Sequence, residues 1–140
     1  MSDVDEITAL VHTYARLLDT GDIDAVAALF EHATWRSLPD GSVLRGSTAV
    51  RPVYEDLLAR GGDNHTKHLI TNLSVALAPG ATTATSHCYW TVLERTPGQP
   101  IGIGPSGQYT DTFEKAEGGW RFTDRLITVD LTGEPPDPGP

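Results

Sequence analysis

Hydrophobic spacing changes period once along this chain, and that single change limits the folds open to it. In the first part, apolar residues recur at three- and four-residue steps. Ile7, Leu10, Val11, Tyr14, Leu17 and Leu18 make one stripe and predict an amphipathic helix over residues 3–19. Ser2 with Asp5 resembles a capping box, and Thr20-Gly21 stops the helix. Asp22 then offers its carboxylate as N-cap to a second helix carrying Val26, Leu29 and Phe30. A short hairpin is predicted from Thr34–Leu38 through the turn Pro39-Asp40-Gly41-Ser42 to Val43–Arg45. Ser47 is the expected cap of a third helix ending at Gly61-Gly62, with Pro52 forcing a kink or a later start.

From His65 onward the chain is rich in Thr, Val, Ile, Tyr, Phe and Trp. Strands are predicted over residues 67–77, 82–95, 108–115 and 119–131, with breaks at Pro79-Gly80, Pro97-Gly98 and Gly118-Gly119. Three helices followed by an antiparallel meander make an α+β domain with the helices on one face of the sheet. The expected division is a single domain over residues 1–132 and a disordered tail over 133–140, where Pro135, Pro136, Pro138 and Pro140 crowd together.

Charge narrows the function classes. Lys and Arg number 10 against 19 Asp and Glu, for a formal charge of −9. That balance argues against nucleic acid as a partner, since phosphate binding is driven by Lys and Arg releasing counterions. It also disfavours a polybasic membrane anchor, and no run of about 18 apolar residues is present to span a bilayer. The segment MSDVDEITAL lacks the basic and apolar regions of a signal peptide, so a cytoplasmic location is expected. The lone Cys88 rules out an internal disulfide and reads as a small core residue.

Three motifs have the form of chemistry without its context. Gly102-Ile-Gly104-Pro-Ser-Gly107 matches a dinucleotide fingerprint, yet a strand-like Gln-Tyr-Thr-Asp-Thr-Phe follows where a helix should receive the pyrophosphate. It reads as a glycine-loosened strand or bulge, and no cofactor is expected. His65 and His68, three apart on a strand, should point to opposite faces, so no metal site is expected either. Asn72-Leu-Ser74 is a glycosylation sequon in form only.

The residues that carry the functional reading are fewer. Along 68–77 the odd positions are mostly apolar and the even positions His68, Ile70, Asn72 and Ser74 are mixed. His68 and Asn72 therefore face either water or a concave cavity beneath the helices. Seven acids crowd into residues 1–31, and most have a role at a helix surface or cap. Asp19 does not: it continues the apolar stripe at a helix C-terminus, where a carboxylate is disfavoured. It is either a second cap, solvated at the helix junction, or the partner of a polarised group, for which His68 is the natural candidate. The carboxylate would fix the imidazole tautomer and make His68 a general base. Tyr109, Asp111 and Phe113 share a face by period two, and either Arg121 or Arg125 can pair with Asp111. The aromatics Trp35, Tyr89, Trp90, Tyr109, Phe113, Trp120 and Phe122 are read mainly as core.

The segments YARLLDTGD, AALF, RG, TKHLITNLSV and GQYTDTFEKAEGGWRFTDR, in this order, resemble the SnoaL-like branch of the nuclear transport factor 2-like superfamily, over roughly residues 5–130. The resemblance implies a cone-shaped α+β barrel, three helices on a strongly curved mixed sheet, with a pocket at the wide end. It implies Asp19 orienting His68, with Arg125 assisting a leaving group or oxyanion and Tyr14, Trp35 and Asn72 lining the pocket; Trp90, Tyr109 and Asp111 complete the candidate substrate contacts. His87 suits a second histidine's role only loosely. The expected activity is that of a cofactor-independent lyase, cyclase or isomerase, similar to dehydratases and polyketide cyclases, acting on a small hydrophobic polyketide- or terpenoid-like molecule. A homodimer through the outer sheet face is expected on the same ground. A non-catalytic carrier of lipophilic ligands and an interaction module are the alternatives, and the fold alone does not choose among them.

Overall fold

Helix α1, Asp3–Asp19, begins with the reciprocal cap its sequence suggests. The Ser2 hydroxyl accepts from the Asp5 amide, and the Asp5 carboxylate accepts from the Ser2 amide. Ile7, Val11, Tyr14 and Leu18 are buried along one stripe. At the far end the Thr20 hydroxyl donates back to the Arg16 and Leu17 carbonyls, and Gly21 turns the chain with a φ of 78°. The Asp22 carboxylate accepts from the Ala25 amide and caps α2, Ile23–Ala28. The structure is a computed structural model, and it describes residues 1–38, 40–59 and 65–132. The expected Gly61-Gly62 helix end and the proline-rich tail lie outside the described residues.

The hairpin forms from β1, Thr34–Ser37, and β2, Ser42–Arg45. Helix α3 runs as one element over Ser47–Ala59 with Pro52 inside it, where a kink or later start was expected. Pro52 lacks an amide proton to give, so only one helical bond is lost, on the exposed side of the helix. Ser47 is the first helical residue rather than a cap. Its hydroxyl is instead bonded to the Glu31 carboxylate, and the Val50 amide bonds the Gly46 carbonyl.

Strands β3, Thr66–Ala76, β4, Thr83–Glu94, β5, Gly102–Ala116, and β6, Gly119–Leu131, form the meander. The six strands make one sheet in the order β2-β1-β6-β5-β4-β3. All neighbours are antiparallel except β1 and β6, which run parallel with Trp35 opposite Arg125. The sheet is mixed and curved, but β2 and β3 are free edges, so it does not close. Its concave face packs on the helices around Phe30, Phe113 and Phe122, each worth about 1.5–3 kcal/mol of apolar burial.

Two bulges decide which residues reach that face. In β3 the register against β4 slips between Thr71 and Ser74, where Asn72 takes a left-handed φ of 55°. Before the slip His68 and Ile70 point inward; after it Leu73 and Val75 do. In β6, Asp124 faces Thr112 and Phe122 faces Phe113, which leaves Thr123 as the extra residue. Phe122 and Arg125, of opposite parity in sequence, are therefore both buried. The fingerprint glycines lie in β5, not before a helix. A Cβ on Gly107 would stand 1.9 Å from the Thr128 carbonyl oxygen and 2.8 Å from the Trp90 ring, so glycine is required by close packing. Among the described residues no helix is long and apolar enough to cross a membrane.

Candidate active site

Asp19 is the last residue of α1, and the packing of α1 on β3 sets it against His68. One carboxylate oxygen accepts from the His68 backbone amide at 2.8 Å. The other lies 2.6 Å from His68 Nδ1 and 3.5 Å from the Thr66 hydroxyl. Hydrogen bonds to a charged group contribute about 1.5–3 kcal/mol each. That outweighs the roughly 0.3–1 kcal/mol cost of a carboxylate at a helix C-terminus. A carboxylate only accepts, so Nδ1 carries the proton and Nε2 of the neutral ring carries the lone pair. No described residue hydrogen-bonds Nε2. The side chains are 6% and 18% exposed for His68 and Asp19.

His68 forms part of the wall of a cavity of about 570 Å³ lined by the end of α1, the start of β3 and the end of β4. Leu18, Leu57, Leu58 and Val92 supply its apolar wall, and His65, Thr66, Glu94 and Arg95 its polar one. His65 precedes β3 rather than lying in it, which is why both histidines reach one cavity and the expectation of opposite faces fails. Among the described residues no group of three His, Cys, Asp or Glu is placed to hold a metal ion.

The other sequence candidates stand elsewhere. Asn72 is exposed at the β3 bulge, outside the cavity wall, because its left-handed backbone takes it out of the strand alternation. Tyr14, Trp35, Trp90, Tyr109, Asp111 and Arg125 form a packed interior layer and are not in that wall either. Arg125 grips Asp111 through Nε at 2.7 Å and Nη2 at 2.9 Å, and both side chains are wholly buried. The guanidinium carbon lies 4.1 Å from the Tyr14 ring centre and 3.9 Å from that of Tyr109. Burial pushes the Asp111 carboxyl up, against the opposing pull of Arg125. Burial also works against the Arg125 charge, but Asp111 more than offsets it and holds the guanidinium above its ordinary value. Arg121 pairs instead with Glu114 on the outside.

Tyr54 is a residue the sequence reading missed. Its hydroxyl accepts from Trp35 Nε1 at 3.1 Å and lies 3.0 Å from the Tyr14 hydroxyl. Its place with Val50 on the buried side of α3 was the available signal. Burial holds Tyr54 and Tyr109 well above the usual phenol range, and pushes the Cys88 thiol up to about 11. His87 lies apart from the cavity wall and bonds Gln108 through Nε2 at 2.6 Å.

Helices on a curved mixed sheet, with a cavity beside them, define the nuclear transport factor 2-like class of small-molecule enzymes and binders. Within it the chain belongs to the SnoaL-like domain family, which it matches over residues 1–126. No curated protein matches it in sequence. Several solved structures do match in fold. A protein of unknown function from Mycobacterium tuberculosis is 30% identical, with a TM-score of 0.77, 91% of this chain and 71% of that one covered. A protein from Novosphingobium aromaticivorans, provisionally named an aromatic ring hydroxylase, is 26% identical, with a TM-score of 0.77 and coverage of 94% and 93%. A second from that organism, provisionally named a scytalone dehydratase, is 24% identical, with a TM-score of 0.75 and coverage of 98% and 95%.

Proposed function

We propose that this chain is a cofactor-independent acid–base enzyme acting on a small hydrophobic molecule, of the polyketide- or terpenoid-like kind. The observation that carries the reading is the Asp19–His68 pair, with His68 in the cavity wall. Nε2 removes a proton from a carbon beside a carbonyl, and Asp19 holds the imidazolium that results. The same first step leads to elimination, ring closure or isomerisation. The Arg95 guanidinium and the Thr96 and Thr132 hydroxyls of the wall are available to the oxygen on which negative charge develops. Arg125, tied to Asp111, contributes by holding Tyr14 and Tyr109 in place. The relatives named for dehydratase and ring-hydroxylase chemistry support an enzyme over a carrier. A carrier has no use for a carboxylate fixing one tautomer of a cavity histidine.

Proton abstraction from simple carbon acids tests the reading even while the natural substrate is unidentified. A panel of aryl ketones, 1-tetralone first, is incubated in D2O and loss of the α-proton is followed by NMR. The wild type is expected to accelerate exchange, His68→Ala to lose the acceleration, and Asp19→Asn to lose much of it, within the roughly 10²–10⁴-fold that general bases supply. Exchange that survives His68→Ala refutes the assignment. We also propose a homodimer through the outer sheet face, where Leu69 and Tyr89 are exposed. A monomer mass by light scattering refutes that.

A further inference from the structure

The inward positions of β4 alternate from Ala84 through Ser86, Cys88, Trp90 and Val92, all buried, and the next is Glu94. Thr66 stands opposite Glu94 and His68 opposite Val92, so Glu94 is the diagonal neighbour of His68 on one face. Such neighbours lie about 7–8 Å apart, the scale of a small ring system. Both side chains form part of the cavity wall. The Glu94 carboxylate has no hydrogen bond or ion pair with any described residue. It rests over Gly104, where a Cβ would come within 2.5 Å of one carboxylate oxygen and 3.0 Å of the other. Gly104 has an ordinary backbone conformation, so the glycine is explained by the space the carboxylate occupies.

We infer that Glu94 is a specificity residue that accepts a hydrogen bond from a hydroxyl group on the substrate. The hydroxyl sits at that diagonal spacing of about 7–8 Å from the carbon facing His68, so the substrate class is a hydroxylated, otherwise apolar ring compound. Arg95 lies in the same polar wall, so the wall holds one guanidinium and one carboxylate. A neutral donor suits it better than an ammonium, which Arg95 repels, or a carboxylate, which Glu94 repels. The inference deepens the proposed function and rests on its placement of the substrate in this cavity, but it concerns binding and not proton transfer.

Binding is therefore the readout. The wild-type protein is titrated with 2-naphthol and with its methyl ether, 2-methoxynaphthalene, following amide NMR shifts at Thr66, His68 and Val92. The naphthol is expected to bind about fivefold to tenfold more tightly, the value of one hydrogen bond to a partly solvated charge. Glu94→Met should remove the preference while leaving the ether's affinity within about twofold. Gly104→Ala keeps every charge but displaces the carboxylate, and should at least halve the preference; circular dichroism checks that both variants fold. His68→Ala should retain the preference even where it abolishes proton exchange, which separates failure of this inference from failure of the base assignment. Equal binding of the two probes by the wild type, binding of neither, or a preference that survives Glu94→Met overturns the inference. Tighter binding of 2-naphthylmethylamine than of 2-naphthol also overturns it, because the wall would then select a cation.

Discussion

Replacing Arg125 by Met removes half of an ion pair that lies wholly out of water, and its cost can be worked from the geometry. The change deletes hydrogen bonds of 2.7 and 2.9 Å and leaves the Asp111 carboxylate buried without its cation. Breaking a pair of this kind costs about 3–5 kcal/mol. Unfolding entropy of about 2.1 cal/mol/K per residue over 140 residues makes each kcal/mol worth roughly 3.4 °C, so Tm should fall by about 10–17 °C. Asp111→Leu strands the guanidinium and should cost a similar amount. The double variant carries no buried charge and should be more stable than either single one. Thermal and urea melts of the four proteins, followed by tryptophan fluorescence and circular dichroism, measure all of this. The pH dependence gives a second handle. Without Arg125 the Asp111 carboxyl loses its main downward pull and keeps the burial, with a smaller push from Asp124, that raises it above the ordinary 3.8. A raised folded value means the protonated form is favoured on folding, so the variant is stabilised at low pH and loses that stability as pH rises through the folded value. Arg125→Met should thus sit closer to the wild type at pH 4–5 than at pH 8. Single costs below about 1 kcal/mol, or a double variant that costs the sum of the two, refutes the reasoning.

Two further outcomes rest on other contacts. Asp3 accepts from Trp120 Nε1 and Lys115 Nζ at 3.0 Å each, which holds its carboxyl below 3.8; that contribution is complete above 3.8 and is lost as pH falls through the folded value, so the Tm gap between wild type and Asp3→Asn should narrow below about pH 3.5 in thermal melts. Gly107→Ala drives a methyl into the Thr128 backbone carbonyl and should cost about 1–3 kcal/mol or more by urea denaturation, whereas Gly104→Ala, which meets only the end of the flexible Glu94 side chain, should cost far less.

The sequence disclosed Asp19 and His68 because each signal was local. A helix stripe that ends on a carboxylate, and a histidine among alternating strand residues, need no knowledge of register. It was less informative wherever the chain departs from strict alternation. The β3 positions His68, Ile70, Leu73 and Val75 look like a confused pattern until the extra residue at Asn72 is placed, after which they form one inward row. Arg121 and Arg125 were indistinguishable as partners of Asp111 for the same reason, since the added Thr123 switches the face of the β6 residues that follow it, as far as a second slip at Asp130. A one-residue slip moves a whole side-chain set to the other face, and period-two reasoning has no means of detecting it. Glu94 was hidden differently: it closes an inward row, and only the cavity distinguishes it from an ordinary charge at a strand end.

The two acid–base pairs of this cone differ in what their surroundings allow, one wholly buried and the other part-buried at the cavity, and the proposed division of work follows from that difference. His68 has one ring nitrogen fixed by Asp19, forms part of the cavity wall, and belongs to the residue type that exchanges protons near neutrality. Arg125 does not give up its proton, is sealed from solvent, and lies between the rings of Tyr14 and Tyr109. Tyr14 is on α1, five residues before Asp19, while Tyr109 and Arg125 are on β5 and β6. The inner pair therefore ties the helix that carries the carboxylate to the sheet, and under the proposed function the outer pair is the one that exchanges a proton with substrate. A variant of Arg125 that still folds should lower proton exchange by loosening Asp19 against His68 while leaving the shape of the pH profile of the remaining activity unchanged. A group acting directly on the substrate would change that pH profile as well as the rate.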